Sequence, residues 1–253
     1  MKTLINGRWT DRKEEKQSND GSFKRKDTEF RNWITPDGSP GETGVGGFKA
    51  ESGRYHLYVS LACPWAHRTL IFRKLKNLEP HIGVSIVHPI MLENGWEFRT
   101  DFSQCTGDQI LGKNSIFEVY LAADKNITSR ASVPVLWDVK QATIVSNESS
   151  EIIRMFNSAF EQISVNELDL YPRTLRTEID ELNAMIYDDV NNGVYKTGFA
   201  TSQKSYTESF TKLFECLEEL EQRLSINRFL LGDKITEADW RLFTTLVRFD
   251  AVY

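Results

Sequence analysis

Cys63 stands where the sequence changes period. The stretch HLYVSLACPWAHRTLIF, residues 56–72, begins as an extended apolar run, meets one cysteine and one proline, and continues with helical spacing. A cysteine at a strand-to-helix turn lies against the positive end of the helix dipole, and Pro64 suits the first helical turn, so a thiolate is favoured there. If its pKa fell from ~8.5 to ~5, the thiolate fraction at neutral pH would rise about thirtyfold while intrinsic nucleophilicity dropped by a similar factor. Attack gains little. Departure gains, because a low-pKa sulfur leaves faster when a second thiol attacks a mixed disulfide. The expected chemistry is a cysteine that is loaded and then discharged. The charges of CPWAHR point to partial exposure of the sulfur, the alternative being a buried structural thiol.

The i+3 position is Ala66, so no CxxC pair can discharge Cys63. The resolving thiol must come from outside, and glutathione is the abundant intracellular candidate. His67, one helical turn on, invites a role as base, but a dipole-stabilised thiolate needs none. Two other stretches suit a γ-glutamyl tripeptide. Val133-Pro134 interrupts a β-type run, which fits either a cis-proline turn with the Val133 backbone open to an extended peptide or an edge-strand proline. Glu148, Ser149 and Ser150 precede an apolar helix; they offer amides, hydroxyls and a carboxylate to an α-amino acid group, or they simply cap the helix. The three cysteines, Cys63, Cys105 and Cys216, and the four histidines, His56, His67, His81 and His88, show no metal-ligand spacing. No metal is expected.

The elements that must position these residues come in a clear order. Tyr55 to Ser60 reads as a strand and Pro64 to Lys76 as a helix. IGVSIVHPI is a strand, an acidic and aromatic loop surrounds Trp96, and SIFEVYLAAD is a short helix. VPVLWD and ATIVSN are strands, and ESSEIIRMFNSAF is a helix. The order is β-α-β-α-β-β-α. Beyond Tyr171-Pro172 three helical runs are expected, about 172–190, 204–224 and 236 to the end. The second has an apolar stripe of Phe210, Leu213, Leu217, Leu220 and Leu224 that should face a core. Thr236 and Asp239 form a capping box at the start of the third. Residues 1–54 read as an irregular, polar lead, either a flexible tail or a coil anchored on the body by Phe30, Trp33 and Phe48.

A chain of 253 residues with 40% hydrophobic and 26% charged residues has enough apolar material for a core without disulfides. Its net charge of -5, with lysine and arginine scattered, gives nucleic acid little electrostatic hold. No run is long enough to cross a membrane, and a soluble, cytoplasmic protein is expected.

SLACPWAHRT, RASVPVLWD, SNESSEIIRMFN and DDVNNGVYKTGFATSQ together resemble the glutathionyl-hydroquinone reductases, the Xi class of glutathione transferases, over most of residues 30–253. CPWAHR with VNNGVYKTGFA is far narrower than the general transferase pattern. The resemblance implies an α/β plus all-α fold. A thioredoxin-like domain over 55–165 would follow the 1–54 coil and precede a helical glutathione-transferase domain over 172–253. It implies Cys63 as nucleophile, glutathione as co-substrate, and Trp96, Arg130, the Val133 backbone, Glu148 and Ser149 as its contacts. Without the resemblance, Trp96 reads as a loop or core aromatic and Arg130 as a solvated charge. Tyr195 and Tyr253 match tyrosines of the aromatic substrate pocket. The implied activity is glutathione-dependent reduction of glutathionyl-hydroquinones. An omega-like thiol transferase or dehydroascorbate reductase uses the same monothiol, and a non-catalytic glutathione-binding module is a third reading.

Similar proteins continue past the position of Tyr253, and residues 240–253 are apolar nearly all round. The helical domain is therefore expected to be incomplete, with an uncovered apolar face that favours association and weakens folding. The homodimer of the complete family fold is in doubt for such a chain.

Overall fold

All six residues of Tyr55–Ser60 (β3) are buried, the polar groups of His56 and Tyr58 finding partners in Ser85 and Asp108. The strand takes the interior of a four-stranded sheet, parallel to Ile82–Val87 (β4) on one edge and antiparallel to Val135–Asp138 (β5) on the other. Thr143–Ser146 (β6) completes the order β4-β3-β5-β6. In the computed structural model, which describes residues 2–11 and 20–253, the chain divides into two units. The first takes in Thr28–Leu168 with an N-terminal hairpin, and the second Asp169–Tyr253 with residues 20–27. From Tyr55 to Ser158 the element order is the one read from the sequence.

Pro64–Leu75 (α1) joins β3 to β4, with proline in its first turn where a missing N–H costs nothing. It stops at Asn77, which adopts φ 54° while its amide and that of Leu78 reach back to Lys74 O and Arg73 O. This is a Schellman closure with asparagine in the left-handed position. Ile116–Ala123 (α2) starts on a Ser115–Glu118 capping box and packs on β6, and Ser149–Ser158 (α3) packs on α1.

The irregular lead expected over 1–54 begins instead with two strands, Lys2–Ile5 (β1) and Arg8–Asp11 (β2). Asn6 at φ 47° and Gly7 at φ 73° make the two-residue turn that matches strand twist. Gly7 has a second reason to be glycine, since a Cβ there would stand 1.9 Å from the Lys125 carbonyl oxygen. Leu4 exchanges backbone hydrogen bonds with Ser129, so β1 lies along the segment leading to Arg130. Residues 28–54 are an anchored coil. Asn32 donates to Val145 O and Asn147 to Phe30 O beside β6, and Trp33 and Phe48 are buried.

In the second unit, Arg176–Met185 (α4) runs through a wider π turn over Ile186–Asn191 into Gly193–Gly198 (α5). Gln203–Ile226 (α6) and Glu237–Leu246 (α7) come next, the latter on the Thr236–Asp239 capping box. Leu182, Ile186, Val190, Leu213, Cys216, Leu220 and Leu242 form its core. The apolar stripe expected on α6 is narrower than read: Phe210 and Leu224 are exposed, and Cys216 takes a core position. The last helical run breaks after Leu246 and resumes as Phe249–Val252 (α8), with Phe243, Val247 and Val252 exposed.

His56 gives this fold an acid limit. It is buried in β3 with Nε2 2.7 Å from Ser85 Oγ, and burial pushes its pKa from 6.5 down to about 4. The unfolded chain therefore binds a proton in a range where the folded chain does not. This contribution is intact above about pH 6.5 and is lost at ~1.4 kcal/mol per unit as pH falls toward about 4. Urea-unfolding midpoints should fall across that interval, and His56→Gln should flatten the decline; an unchanged slope in the variant would assign the acid loss to carboxylates.

Candidate active site

Cys63 is the N-cap residue of α1, with extended φ/ψ of -82° and 119°. Ser60 fixes the approach: its carbonyl accepts the Cys63 amide at 3.1 Å and its Oγ accepts the Ala62 amide at 3.3 Å. The Cys63 carbonyl already accepts the His67 amide at 3.0 Å, so the residue belongs half to the helix. Its thiol donates to the Val133 carbonyl at 3.5 Å. Partial exposure was expected from the charges of CPWAHR, yet Cys63 is 9% exposed. Arg68, one of those charges, turns inward as well.

Arg68 is 1% exposed, lies 4.6 Å from the Trp65 ring centre, and donates from Nη1 to Ser149 Oγ at 3.4 Å. It thereby links the helix that starts at Cys63 to the helix that starts at Ser149. Glu148 is the N-cap of α3. One carboxylate oxygen accepts the Ser150 amide at 3.2 Å and Ser150 Oγ at 2.9 Å; the other accepts Thr28 Oγ1 at 3.3 Å. Capping and a carboxylate presented at a helix start are thus the same arrangement here, not alternatives.

Val133-Pro134 is a cis peptide bond. Val133 is buried, and among the described residues its amide has no acceptor, so one residue presents a donor as well as the carbonyl that faces the sulfur. Trp96 is half-buried in the loop between β4 and α2, held by its carbonyl, which accepts the Ile116 amide at 2.9 Å. Arg130 is exposed on the segment that β1 supports. The structure brings Cys63 to Val133 and ties Ser149 to α1. Trp96 and Arg130 stand on loops before and after α2.

In the second unit Tyr195 and Tyr253 come together, with hydroxyls 3.3 Å and ring centres 5.7 Å apart. Residues from the lead join them. The Arg25 guanidinium lies 4.8 Å over the Tyr195 ring while its Nε donates to Asn192 Oδ1, and Phe23 stacks on Tyr195 at 6.3 Å. Neither was singled out by sequence reasoning, because a run rich in lysine, arginine and aspartate masks a lone aromatic-cation pair. Among the described residues no cluster of histidine, cysteine, aspartate and glutamate is arranged to hold a metal ion, and no helix is long and apolar enough to cross a membrane.

Burial, with Asp189 and Glu219 adding to it, pushes the Cys216 thiol up to about 11. Burial and then Asp101 push Cys105 up as well.

Family models match both units: glutathione S-transferase, N-terminal domain, over residues 62–159, and glutathione S-transferase, C-terminal domain, over residues 203–253. The chain is 59% identical over its full length to the glutathionyl-hydroquinone reductase YqjG of Escherichia coli, covering 77% of that protein. It is 47% identical, also over its full length and 77% of the relative, to the glutathionyl-hydroquinone reductase PcpF of Sphingobium chlorophenolicum. A glutathione S-transferase omega-like 2 of Schizosaccharomyces pombe is 51% identical over 93% of this chain and 75% of its own length. The glutathione-bound structure of YqjG superposes with a TM-score of 0.91 at 57% identity, over 99% of this chain and 76% of that one.

The environments of the three thiols fix one expectation. Incubation with oxidised glutathione should add one glutathionyl group, at Cys63, when the intact protein and its peptides are weighed by mass spectrometry. An adduct on Cys105 or Cys216 in its place would remove Cys63 from the centre of the site.

Proposed function

Because this chain belongs to the Xi class of glutathione transferases, the glutathionyl-hydroquinone reductases, we propose that it reduces glutathionyl-hydroquinones to hydroquinones through a mixed disulfide on Cys63. The observation that carries the mechanism is the place of Cys63. It caps a helix start, its sulfur 3.5 Å from the Val133 carbonyl, and has no second cysteine one turn on.

In the first step the Cys63 thiolate attacks the sulfur of the glutathionyl group. A sulfur–sulfur bond forms and the carbon–sulfur bond breaks; the ring carbon keeps that electron pair and takes a proton from solvent, releasing hydroquinone. In the second step a glutathione thiolate attacks the glutathionyl sulfur of the mixed disulfide. Oxidised glutathione leaves and the Cys63 thiolate is restored. The net change consumes one glutathione and one glutathionyl-hydroquinone and yields one hydroquinone and one oxidised glutathione. The helix start favours the anion that departs in the second step, which is where a lowered thiol pKa is most useful.

The tripeptide would be held along the first unit. The Val133 amide and carbonyl pair with the extended backbone around the cysteinyl residue, as an added strand would. Ser149 at the α3 start receives the γ-glutamyl carboxylate, and Glu148 receives its ammonium group. Arg130 supplies positive charge for a carboxylate, and Trp96 a flat apolar surface. Tyr195 and Tyr253 are proposed for the aromatic ring. Regeneration by free glutathione places the activity in a reducing compartment, the cytoplasm. A thiol transferase of the omega type, or a dehydroascorbate reductase, would use the same cysteine, and the omega-like relative makes it the second reading.

Release of free hydroquinone from a glutathionyl-hydroquinone, monitored by chromatography, tests this directly against dehydroascorbate reduction in parallel. Hydroquinone release should dominate and should vanish in Cys63→Ala. Faster turnover of dehydroascorbate, or full activity without Cys63, would overturn the assignment. Arg130→Ala should raise the glutathione concentration needed for half-maximal rate about tenfold while leaving the melting temperature nearly unchanged, since a charge-assisted bond is worth roughly 1.5 to 3 kcal/mol.

A further inference from the structure

Tyr120 takes no part in the proposed disulfide exchange, yet its hydroxyl bonds to both Ser132 and Asn147, beside the proposed glutathione contacts. The residue lies on α2 and is wholly buried. Its oxygen accepts the Asn147 Nδ2 group at 2.9 Å and the Ser132 amide at 3.3 Å, and it donates to the Ser132 carbonyl at 3.0 Å. Burial raises the phenol pKa, so the proton for that donation is retained.

The partners matter because of their neighbours in the chain. Ser132 immediately precedes Val133, and Asn147 immediately precedes Glu148 and Ser149. The β5–β6 ladder cannot join these two stretches, because its last register pair is Leu136 with Ser146 and beyond it the strands part. A phenol oxygen from a helix packed on β6 bridges the gap that the ladder leaves. Asn147 is braced from its other side by Phe30, whose amide donates to Asn147 Oδ1 at 3.3 Å and whose carbonyl accepts the Asn147 amide at 3.2 Å. The Phe30 ring also meets the Tyr120 ring edge-on at 5.9 Å.

We propose that the Tyr120 hydroxyl is a positioning group for glutathione, holding Val133 and the Glu148–Ser149 helix start at the separation that one bound tripeptide spans. A tripeptide that pairs with Val133 at its centre and with Ser149 at its γ-glutamyl end reads a distance. With both segments held, binding carries no cost of ordering them. Without the hydroxyl, Ser132 and Asn147 each lose a buried partner and the two segments relax independently. The proposal rests on the assignment of Val133, Glu148 and Ser149 as glutathione contacts.

The test uses the full chain and S-methylglutathione, which binds without reacting. Tyr120→Phe should weaken its dissociation constant roughly five- to thirtyfold and raise the KM for glutathionyl-hydroquinone in step. The kcat and the rate of Cys63 alkylation by iodoacetamide should stay within about twofold, because the sulfur and its helix are untouched. A lower melting temperature with unchanged affinity would make Tyr120 structural only and overturn the proposal. If Tyr120→Phe does not fold, Asn147→Ala, which removes the Asn147 link to Tyr120 together with the bond from the Phe30 amide, should show part of the same loss, and unchanged affinity there overturns it equally. Glu148→Gln and Arg130→Ala separate the two levels. If both leave S-methylglutathione binding intact, the contact assignment fails; if they weaken it and Tyr120→Phe does not, the positioning role fails.

Discussion

The position of one sulfur atom is set by a strand that has no solvent face. All six residues of β3 are buried, with a parallel partner on one edge and an antiparallel partner on the other. A slip of one residue would turn every side chain to the opposite face, so register and direction are both fixed. The chain leaves this strand at Ser60, whose carbonyl and hydroxyl catch the Cys63 and Ala62 amides, and Pro64 opens a helix of twelve residues. Cys63 is held at both ends before its side chain makes any contact. The carbonyl that faces it belongs to Val133, two residues before β5, the neighbour of β3. The sulfur and the carbonyl that faces it are therefore carried just outside adjacent strands.

The same strand pair is pinned at its far end by charge. Asp138 closes β5 fully buried and accepts the Arg54 side chain through both oxygens, at 3.1 and 3.0 Å from Nε. Arg54 also donates to the carbonyl of Gly47, which ties the anchored coil to the sheet. Leaving either charge alone in such a place typically costs about 3 to 5 kcal/mol, against a total stability of about 5 to 15. The coil is thus a structural part of the unit, although its composition reads as a tail. A sheet fixed at both ends of β5 is what allows the Cys63–Val133 distance to be a property of the fold.

The parts of this molecule that could be read in its sequence are those settled by near neighbours. Strand β3, the turn at Cys63 and the Thr236–Asp239 capping box all declare themselves within six or seven residues. The N-terminal hairpin was equally local, since Asn6-Gly7 is a strong turn signal, but the charged composition around it outweighed two short strands. What stayed hidden depends on partners far along the chain. Arg68 sits 81 residues from Ser149, and nothing around it says that an arginine after a tryptophan will face inward. Tyr120 reads as one apolar position of an apolar helix until Ser132 and Asn147 are placed beside its hydroxyl. On α6 the spacing offered five stripe positions, and the core used Leu213, Leu217 and Leu220 with Cys216 while leaving Phe210 and Leu224 in water. Trp96 and Arg130 carry no local signal at all, and their candidacy came from resemblance.

Three cysteines with the same intrinsic chemistry stand in three different places in the fold. A thiol pushed up to about 11, as at Cys216, is only about one part in ten thousand thiolate at neutral pH. Its neighbours Asp189 and Glu219 repel the anion, and burial removes the water that would stabilise it. Cys105 is moved the same way by burial and Asp101. Cys63 is as buried as many core residues, but it stands where a helix begins and amides converge. With the other two thiols held protonated and no cysteine one turn beyond Cys63, a glutathionyl group loaded there has no competent resolving thiol within the chain. In the proposed mechanism, discharge therefore uses a thiol from solution.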